Sequence, residues 1–257
     1  GEGAVLGVID TYQDKDHADF NGKYQWYKDY VRNDDTVELY GSQHSHGTHV
    51  AGIVAAEKNG TGTHGVAYNA DLVGANVDYH GNGMINKGLA QQALHDFAKL
   101  KSPTANGGEE MNIIAVNMSF NQPNFFYDGN GSTVTQLSDG TYNATEITTR
   151  ILNNGYGDSE YWKVATDNDI ILVNSAGNGM MIDGEVSTEF ALDPGVWATA
   201  VDSTGKLVLG GKMIIVGNWS GTKADGQVVG SKAGHVCLNI VNNTCQDTHQ
   251  TKDFYIL

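Results

Sequence analysis

The sequence predicts an α/β fold in which a mostly parallel, twisted sheet is covered by helices on both faces. Short apolar runs rich in β-branched residues recur along the chain with little polar interruption, as in strands that are buried on both faces. Segments with helical periodicity lie between these runs, and repeated strand, helix and strand units imply right-handed crossovers into one parallel sheet. Such sheets place their functional sites at the carboxyl ends of the strands.

Five apolar runs are the predicted strands, and the periodic segments between them are the predicted helices. The strands are AVLGVID (4–10), DLVGANV (71–77), NIIAVNMSF (112–120), DIILVNSAG (169–177) and VWATAVD (196–202). The helices are HGTHVAGIVAAEKN (46–59), MINKGLAQQALHDFAKL (84–100) and one or two helices within 144–168. Residues 121–143 are rich in Asn, Gly, Ser and Thr and predict a surface insertion. We find no internal repeat or linker, so we expect a single domain over residues 1–257.

Composition and charge exclude several classes of function. The chain has 40% hydrophobic and 18% charged residues, which is typical of a soluble globular domain, and no apolar run approaches the length of a membrane span. A formal net charge of −15 argues against nucleic acid or an anionic membrane surface as a partner. Cys237 and Cys245 lie in a polar segment, where a small disulfide-closed loop and two free thiols are both compatible with the sequence.

Three polar residues at strand or helix ends have the types that acyl transfer needs. Asp10 ends the first predicted strand, His46 begins a helix within HSHGTHVAGIVAA (44–56), and Asn178 follows a strand between two glycines. A carboxylate can orient an imidazole, the imidazole can accept a proton from a nucleophile, and an amide can stabilise an oxyanion. Taken singly, each residue is more often a cap, turn or surface residue. Their order and context favour the catalytic interpretation.

These motifs together resemble those of subtilisin-like serine peptidases, the subtilase or peptidase S8 family. GVIDT resembles the family strand with the catalytic Asp, HGTHVAGIVAA its histidine helix, VNMSF its substrate-binding strand and NSAGNG its oxyanion segment. The resemblance implies the subtilisin-like three-layer fold, with Asp10, His46 and Asn178 as catalytic residues, whereas His44 and His49 do not carry the family's catalytic role. Tyr12 stands where the family usually has Gly, so we expect a reshaped turn beneath the carboxylate.

The resemblance also implies a cleft that binds extended peptides as an added strand. Ser119, Phe120 and Asn121 would form one edge, where Phe120 and Asn121 replace the usual Leu and Gly. Asn174, Ser175, Ala176 and Gly177 would form the opposite wall of the first pocket. None of these residues is charged, so this half of the pocket indicates no strongly basic or acidic preference.

A calcium site is implied by two further segments. DKDHADF (14–20) contains Asp19 and resembles the family's His-Pro-Asp-Leu stretch, and EKNGTGTHGVA (57–67) has the spacing of its calcium loop. Asp19 and Asn59 would supply side-chain oxygens, and Glu57, Thr61 and Thr63 would supply backbone carbonyls. An ordinary Asn-Gly turn beside a solvated Asp is the alternative. We expect no organic cofactor.

The family's nucleophile lies in a Gly-Thr-Ser-x-Ala-x-Pro string, and this sequence contains no such string. Ser220 in NWSGT instead resembles a strand-ending serine upstream of the nucleophile. The closing segment is similar to the part of secreted bacterial subtilases, particularly autotransporter-borne ones, that precedes the serine helix. We therefore expect a catalytic domain that is incomplete at both ends and inactive alone. The alternative is a catalytically inactive subtilase-fold binding module.

The resemblance finally predicts the setting in which the protein works. We expect a secreted or cell-surface bacterial endopeptidase that acts on extended peptides or protein substrates. A propeptide or an autotransporter barrel in the parent protein is an expected partner.

Overall fold

The structure, a computed structural model, describes a defined set of residues. Side chains are described for residues 1–32, 45–78, 85–102, 110–120, 159–175, 197–198 and 200–216, and the backbone alone for the short strands between 180 and 256. The chain divides into two compact units. Unit 1 comprises Gly1–Ser119 and Val164–Val173, and unit 2 comprises Phe120–Lys163 and Asn174–Leu257. One catalytic domain over residues 1–257 stays a prediction.

Unit 1 is built on a sheet whose paired strands run parallel. In sheet order the strands are β2 (Tyr24–Asp29), β3 (Asp71–Asn76), β1 (Val5–Asp10), β4 (Ile113–Met118) and β5 (Ile171–Ser175), with β5 belonging to this unit up to Val173. β1 pairs in parallel with β3 and β4, and β2 pairs in parallel with β3. The helices of unit 1 include α1 (His46–Ala55) and α2 (Lys87–Lys101), and a 3-10 turn spans Ala18–Phe20.

Helices α1 and α2 lie on opposite faces of this sheet. Val8 belongs to a buried cluster that includes Ala51 of α1 and Leu72 of β3. A Cβ at the preceding residue, Gly7, would lie 2.9 Å from the ring of Phe97 in α2. Successive residues of a strand point to opposite faces, so the two helices cover different sides of β1. This arrangement agrees with the predicted α/β fold.

Unit 2 contains shorter strands. β8 (Met213–Val216) pairs in parallel with β13 (Tyr255–Ile256). Three antiparallel pairs are β6 (Met180–Ile182) with β7 (Glu185–Ser187), β9 (Gly221–Thr222) with β10 (Val228–Val229), and β11 (Cys237–Val241) with β12 (Thr244–Thr248). Trp162 and Trp197 are fully buried with their ring centroids 5.2 Å apart. The side chains of Cys237 and Cys245 lie outside the described residues.

The predicted elements differ from the observed ones in several places. The predicted strand 196–202 is wrong, because Trp197 and Ala198 are helical and Val201 forms only an isolated bridge with Leu207. The predicted helix 46–59 ends at Ala55, because Ala56 has extended backbone and the next amide donates to the carbonyl of Asp19. β2 and β8 were not predicted, since neither is a long continuous apolar run. Residues 159–167 are helical, within the predicted range, and the predicted insertion 121–143 lies outside the described residues.

A polar cluster joins the end of β2 to α2. The Tyr30 hydroxyl donates to Asp96 Oδ2 at 2.7 Å, and Lys99 Nζ donates to Asp96 Oδ1 at 3.0 Å. Lys28 Nζ lies 3.7 Å from Asp96 Oδ2. Partial burial opposes ionisation, but these hydrogen bonds and charges together hold the pKa of Asp96 below its ordinary value. The ionised carboxylate is therefore the form that the folded chain favours.

We expect Asp96→Asn to lower the thermal midpoint at neutral pH. The pKa of Asp96 is lower in the folded chain than in the unfolded chain. Its ionised carboxylate therefore stabilises the folded chain above the unfolded pKa of about 3.9, and this stabilisation is lost as pH falls through the folded-state pKa. The difference between variant and parent should therefore shrink on acidification. Thermal melts from pH 7 to pH 3 measure it.

Asp16→Asn is the control for this prediction. Asp16 pairs with Lys15 at 3.1 Å, but its side chain is 73% exposed, and exposed pairs contribute little. Equal losses in the two variants would contradict the importance of the Tyr30–Asp96 contact.

Candidate active site

The end of β1 and the start of α1 bring a carboxylate and an imidazole together. Asp10 is the last residue of β1 and His46 is the first residue of α1. His46 Nδ1 lies 2.6 Å from Asp10 Oδ1, although the two residues are 36 positions apart. The Asp10 side chain is 1% exposed, whereas that of His46 is 53% exposed. The carboxylate is thus buried behind an imidazole that is exposed to solvent.

A close backbone approach sets this geometry. The amide of Gly47 donates to Thr11 Oγ1 at 2.9 Å. A Cβ at position 47 would lie 2.4 Å from the carbonyl oxygen of Thr11 and 2.7 Å from that of Tyr12, so only glycine fits there. Asp14 adds a further link, because its amide donates to Thr48 Oγ1 at 2.9 Å. The loop after β1 therefore lies directly against the first turn of α1.

Hydrogen bonding and charge favour the protonated imidazole. The hydrogen bond to Asp10 raises the pKa of His46, partial burial opposes this, and the negative charge of Asp10 adds to the rise. Asp10 Oδ1 also accepts from the amide of Thr11 at 2.7 Å, while Asp10 Oδ2 is buried without a partner in the described part of the chain. With Nδ1 directed at the carboxylate, the other ring nitrogen, Nε2, is the one left for proton transfer.

Several predicted site residues lie outside the described residues. They are Asn121, Ala176, Gly177 and Asn178. In unit 1, the Ser119 hydroxyl accepts from Asn117 Nδ2 at 2.8 Å. The substrate-binding and oxyanion roles of these residues stay predictions.

In unit 2, a buried amide ties together two of the predicted pocket residues. Asn174 Nδ2 donates to the carbonyl of Phe120 at 2.8 Å and to that of Ser175 at 3.1 Å. Phe120 is 9% exposed, and Asn174 is 1% exposed. Asn174 therefore holds the backbone of both residues, although the peptide-binding role of Phe120 and Ser175 stays a prediction.

The five predicted calcium ligands, Asp19, Glu57, Asn59, Thr61 and Thr63, belong to two neighbouring segments of unit 1. The amide of Glu57 donates to the carbonyl of Asp19 at 2.8 Å. A Cβ at Gly62 would lie 2.9 Å from Asp19 Oδ2, so the glycine brings the loop close to this carboxylate. Asn59 Oδ1 accepts from the amide of Thr61 at 3.0 Å. In the parts of the chain that the structure describes, no three His, Cys, Asp or Glu side chains form a metal-binding group.

The residues that hold the loop after β1 were not predicted from the sequence. Thr11 and Thr48 belong to the quoted motifs, but only the structure shows that their hydroxyls accept backbone amides across the contact. Gln13 is also fully buried here, and no signal in the sequence indicates this, because an amide side chain in a turn normally faces solvent.

Comparison with known proteins places this geometry in a family. The family model described as "Subtilase family", peptidase S8, matches residues 1–241. The chain belongs to the subtilase family. An extracellular serine protease of Serratia marcescens is 39% identical over 101 residues, which is 36% of this chain and 9% of that protein. A thermophilic serine proteinase of Bacillus sp. (strain AK1) is 41% identical over 87 residues, 33% of this chain and 21% of that protein.

Two solved structures share the fold of this chain. The S41 psychrophilic protease matches with a TM-score of 0.56 at 19% sequence identity, and the match covers 91% of this chain and 59% of the protease chain. Sphericase matches with a TM-score of 0.51 at 18% sequence identity, and the match covers 91% of this chain and 60% of the sphericase chain. The chain thus spans less than two thirds of each of these relatives. The subtilisin-like α/β fold of the sequence prediction is confirmed.

We expect Asp10→Asn to lower the pKa of His46 in this subtilase chain. The variant removes the carboxylate charge and weakens the hydrogen bond that raises this pKa. The stability contributed by the pair is fully present below the unfolded histidine pKa of about 6.5 and is lost as pH rises through the folded value. Asp10→Asn should therefore destabilise the chain more at pH 6 than at pH 9, and NMR titration of the imidazole measures the pKa.

Asp71→Asn is the matched control. Asp71 begins β3, beside Val5 and thus at the opposite end of the strands from Asp10. An unchanged His46 titration in Asp10→Asn, or an equal shift in Asp71→Asn, would contradict the assigned coupling.

Proposed function

We propose that this subtilase is a serine endopeptidase whose acid–base pair is Asp10 and His46, completed by a nucleophilic serine from outside these 257 residues. The observation that supports it most directly is the 2.6 Å contact between His46 Nδ1 and Asp10 Oδ1. Family membership and the serine protease names of the relatives support the reaction class. The sequence contains no Gly-Thr-Ser-x-Ala-x-Pro string, which supports placing the serine elsewhere.

The pair would act as the general base of peptide-bond hydrolysis. His46 Nε2 accepts the hydroxyl proton as the serine oxygen bonds to the substrate carbonyl carbon, and it later donates that proton to the leaving amine. Asp10 keeps Nδ1 protonated and stabilises the imidazolium without taking the proton itself. Hydrolysis of the acyl group by water then regenerates the serine, with His46 again as the base. His46 can accept the proton only when its imidazole is neutral. We therefore expect activity to increase as pH rises through the raised pKa of His46.

The remaining predicted residues would bind the substrate. Asn178 would donate an amide hydrogen to the developing oxyanion. Ser119, Phe120 and Asn121 would pair with an extended peptide, and Ser175, Ala176 and Gly177 would form a wall of the first pocket. The buried Asn174 supports this proposal for unit 2, because its side chain holds the carbonyls of Phe120 and Ser175 in place.

We also propose that the protein acts outside the cell, with a propeptide or autotransporter barrel as a partner in the parent protein. The extracellular serine protease of Serratia marcescens supports the location. In the part of the chain that the structure describes, no helix is both long and apolar enough to cross a membrane.

Calcium is the proposed structural cation, and the donor set fits a hard cation in part. Asp19 would supply carboxylate oxygen, Asn59 amide oxygen, and Glu57, Thr61 and Thr63 backbone carbonyls. The close approach of Gly62 to the Asp19 carboxylate supports the site, since it brings the backbone of the loop to a negative charge. Bound calcium would neutralise Asp19 and stabilise this loop.

We expect calcium to raise the thermal midpoint of the 257-residue chain through preferential binding to the native state. Asp19→Asn should abolish this rise. Asp16→Asn, an exposed carboxylate three positions away, should retain it. Equal midpoints in saturating calcium and in chelator would contradict the proposed site.

The missing nucleophile gives a direct test of the proposed activity. The 257-residue chain should neither react with a fluorophosphonate serine probe nor hydrolyse peptides, because its sequence lacks the Gly-Thr-Ser-x-Ala-x-Pro string that holds the family's nucleophile. A longer product that includes the downstream coding sequence should do both. His46→Ala should abolish its labelling, whereas His49→Ala, one turn along the helix, should not.

Two outcomes of this experiment would contradict the proposal. Labelling of the 257-residue chain would mean that the nucleophile lies within it, and Ser220 would be the first residue to replace. An unreactive but folded longer product would support a binding module.

A further inference from the structure

Gln13 is a fully buried amide in the loop that follows Asp10. It is 0% exposed, and both of its polar side-chain atoms have partners. Nε2 donates to the carbonyl of Val8 at 3.0 Å and to that of Ala75 at 3.2 Å. Oε1 accepts from the Tyr24 hydroxyl at 2.9 Å. The side chain therefore anchors the loop to β1 and to β3 together.

Neighbouring residues fix the direction of this amide. Burial raises the pKa of Tyr24 well above its ordinary value, with further contributions from Tyr27 and Asp14, so its hydroxyl stays protonated and donates. A donor at Oε1 orients the amide with its nitrogen toward the two carbonyls. A Cβ at Gly74 would lie 2.6 Å from Gln13 Oε1, so the glycine of β3 leaves the room that this amide needs.

The same loop is held on its other side by α1. The amide of Gly47 donates to Thr11 Oγ1, and the amide of Asp14 donates to Thr48 Oγ1. Asp10 precedes the first anchored residue of the loop, and His46 precedes Gly47. Loss of the sheet anchor at Gln13 would let the loop shift, and the distance between Asp10 and His46 would change with it.

We propose that Gln13 is a positioning residue, which fixes the loop after β1 so that the Asp10 carboxylate faces His46 Nδ1. Its catalytic consequence rests on the proposed function. A packing role alone would not need this amide, because an apolar side chain of similar size could fill the space without burying polar atoms. The three directional hydrogen bonds favour orientation of the loop as the role of Gln13.

The experiment compares Gln13→Met with Lys23→Met. Lys23 is also buried, and its Nζ also donates to two backbone carbonyls, those of Tyr68 and Ala70, but it lies at the start of β2, away from Asp10. Each variant removes one buried nitrogen and its two hydrogen bonds, and Gln13→Met also removes the hydrogen bond from Tyr24. Both should lower the thermal midpoint, so Lys23→Met controls for a general loss of stability at a different position.

The decisive readout is the NMR titration of His46 in the 257-residue chain, which needs no serine. The described titratable groups on the elements around the imidazole include Asp10 at the end of β1, Tyr12 and Asp14 in the following loop and His49 on α1. Gln13→Met should return the pKa of His46 toward about 6.5, and Lys23→Met should leave it raised. Tyr24→Phe, which removes only the orienting hydroxyl, should give a smaller change in the same direction and serves if Gln13→Met does not fold.

In the longer, serine-containing protein, Gln13→Met should lower kcat about 10- to 100-fold with little change in KM, because a small misplacement affects the transition state most. The acid limb of its pH profile should move to lower pH. An unchanged His46 titration in both Gln13→Met and Tyr24→Phe, or an equal change in Lys23→Met, overturns the inference. A shifted His46 titration in Gln13→Met, together with no hydrolysis by the unsubstituted longer protein, supports the positioning role and rejects the proposed function.

Discussion

The close contact between the first turn of α1 and the backbone that leaves β1 is the constraint on which the site depends. At Gly47 the two segments approach so closely that a side chain would overlap the carbonyl oxygens of Thr11 and Tyr12. His46 is the residue next to this contact, and Asp10 is the residue before the loop. The short distance between acid and base therefore follows from a backbone contact, and the side chains themselves need little adjustment.

The two members of the pair lie in very different surroundings. Asp10 is almost completely buried, whereas more than half of the His46 side chain is exposed. A buried carboxylate is costly unless donors satisfy it, and here the donors are the imidazole and the amide of Thr11, both at Oδ1. The hydrogen bond to this carboxylate is the largest cause of the raised pKa of His46, and the charge of Asp10 adds to it. Asp10 thus supplies a buried negative charge, whereas His46 presents an exposed ring.

The sequence predicts the parts of this structure that depend on local pattern. Four of the five predicted strands, the start of α1 and the placement of Asp10 and His46 at element ends all follow from apolar runs and short motifs. The run 196–202 fails because a buried tryptophan in a short helical turn has the same apolar character as a strand. β2 was not predicted from the sequence because its aromatic and charged residues do not form a continuous apolar run. Gln13 could not be predicted, since its partners come from β1, β3 and Tyr24, which only the tertiary structure brings together.

The long separation of Asp10 and His46 in the sequence bears on how the chain folds. Their hydrogen bond joins positions 36 residues apart, and Asp10 also pairs with Asn76 across the sheet. A contact that closes a long segment of chain costs more conformational entropy than a turn of helix does. Such contacts therefore form later in folding. The contact between Asp10 and His46 therefore exists only in the folded chain, and the raised pKa of His46 reports that the sheet has formed.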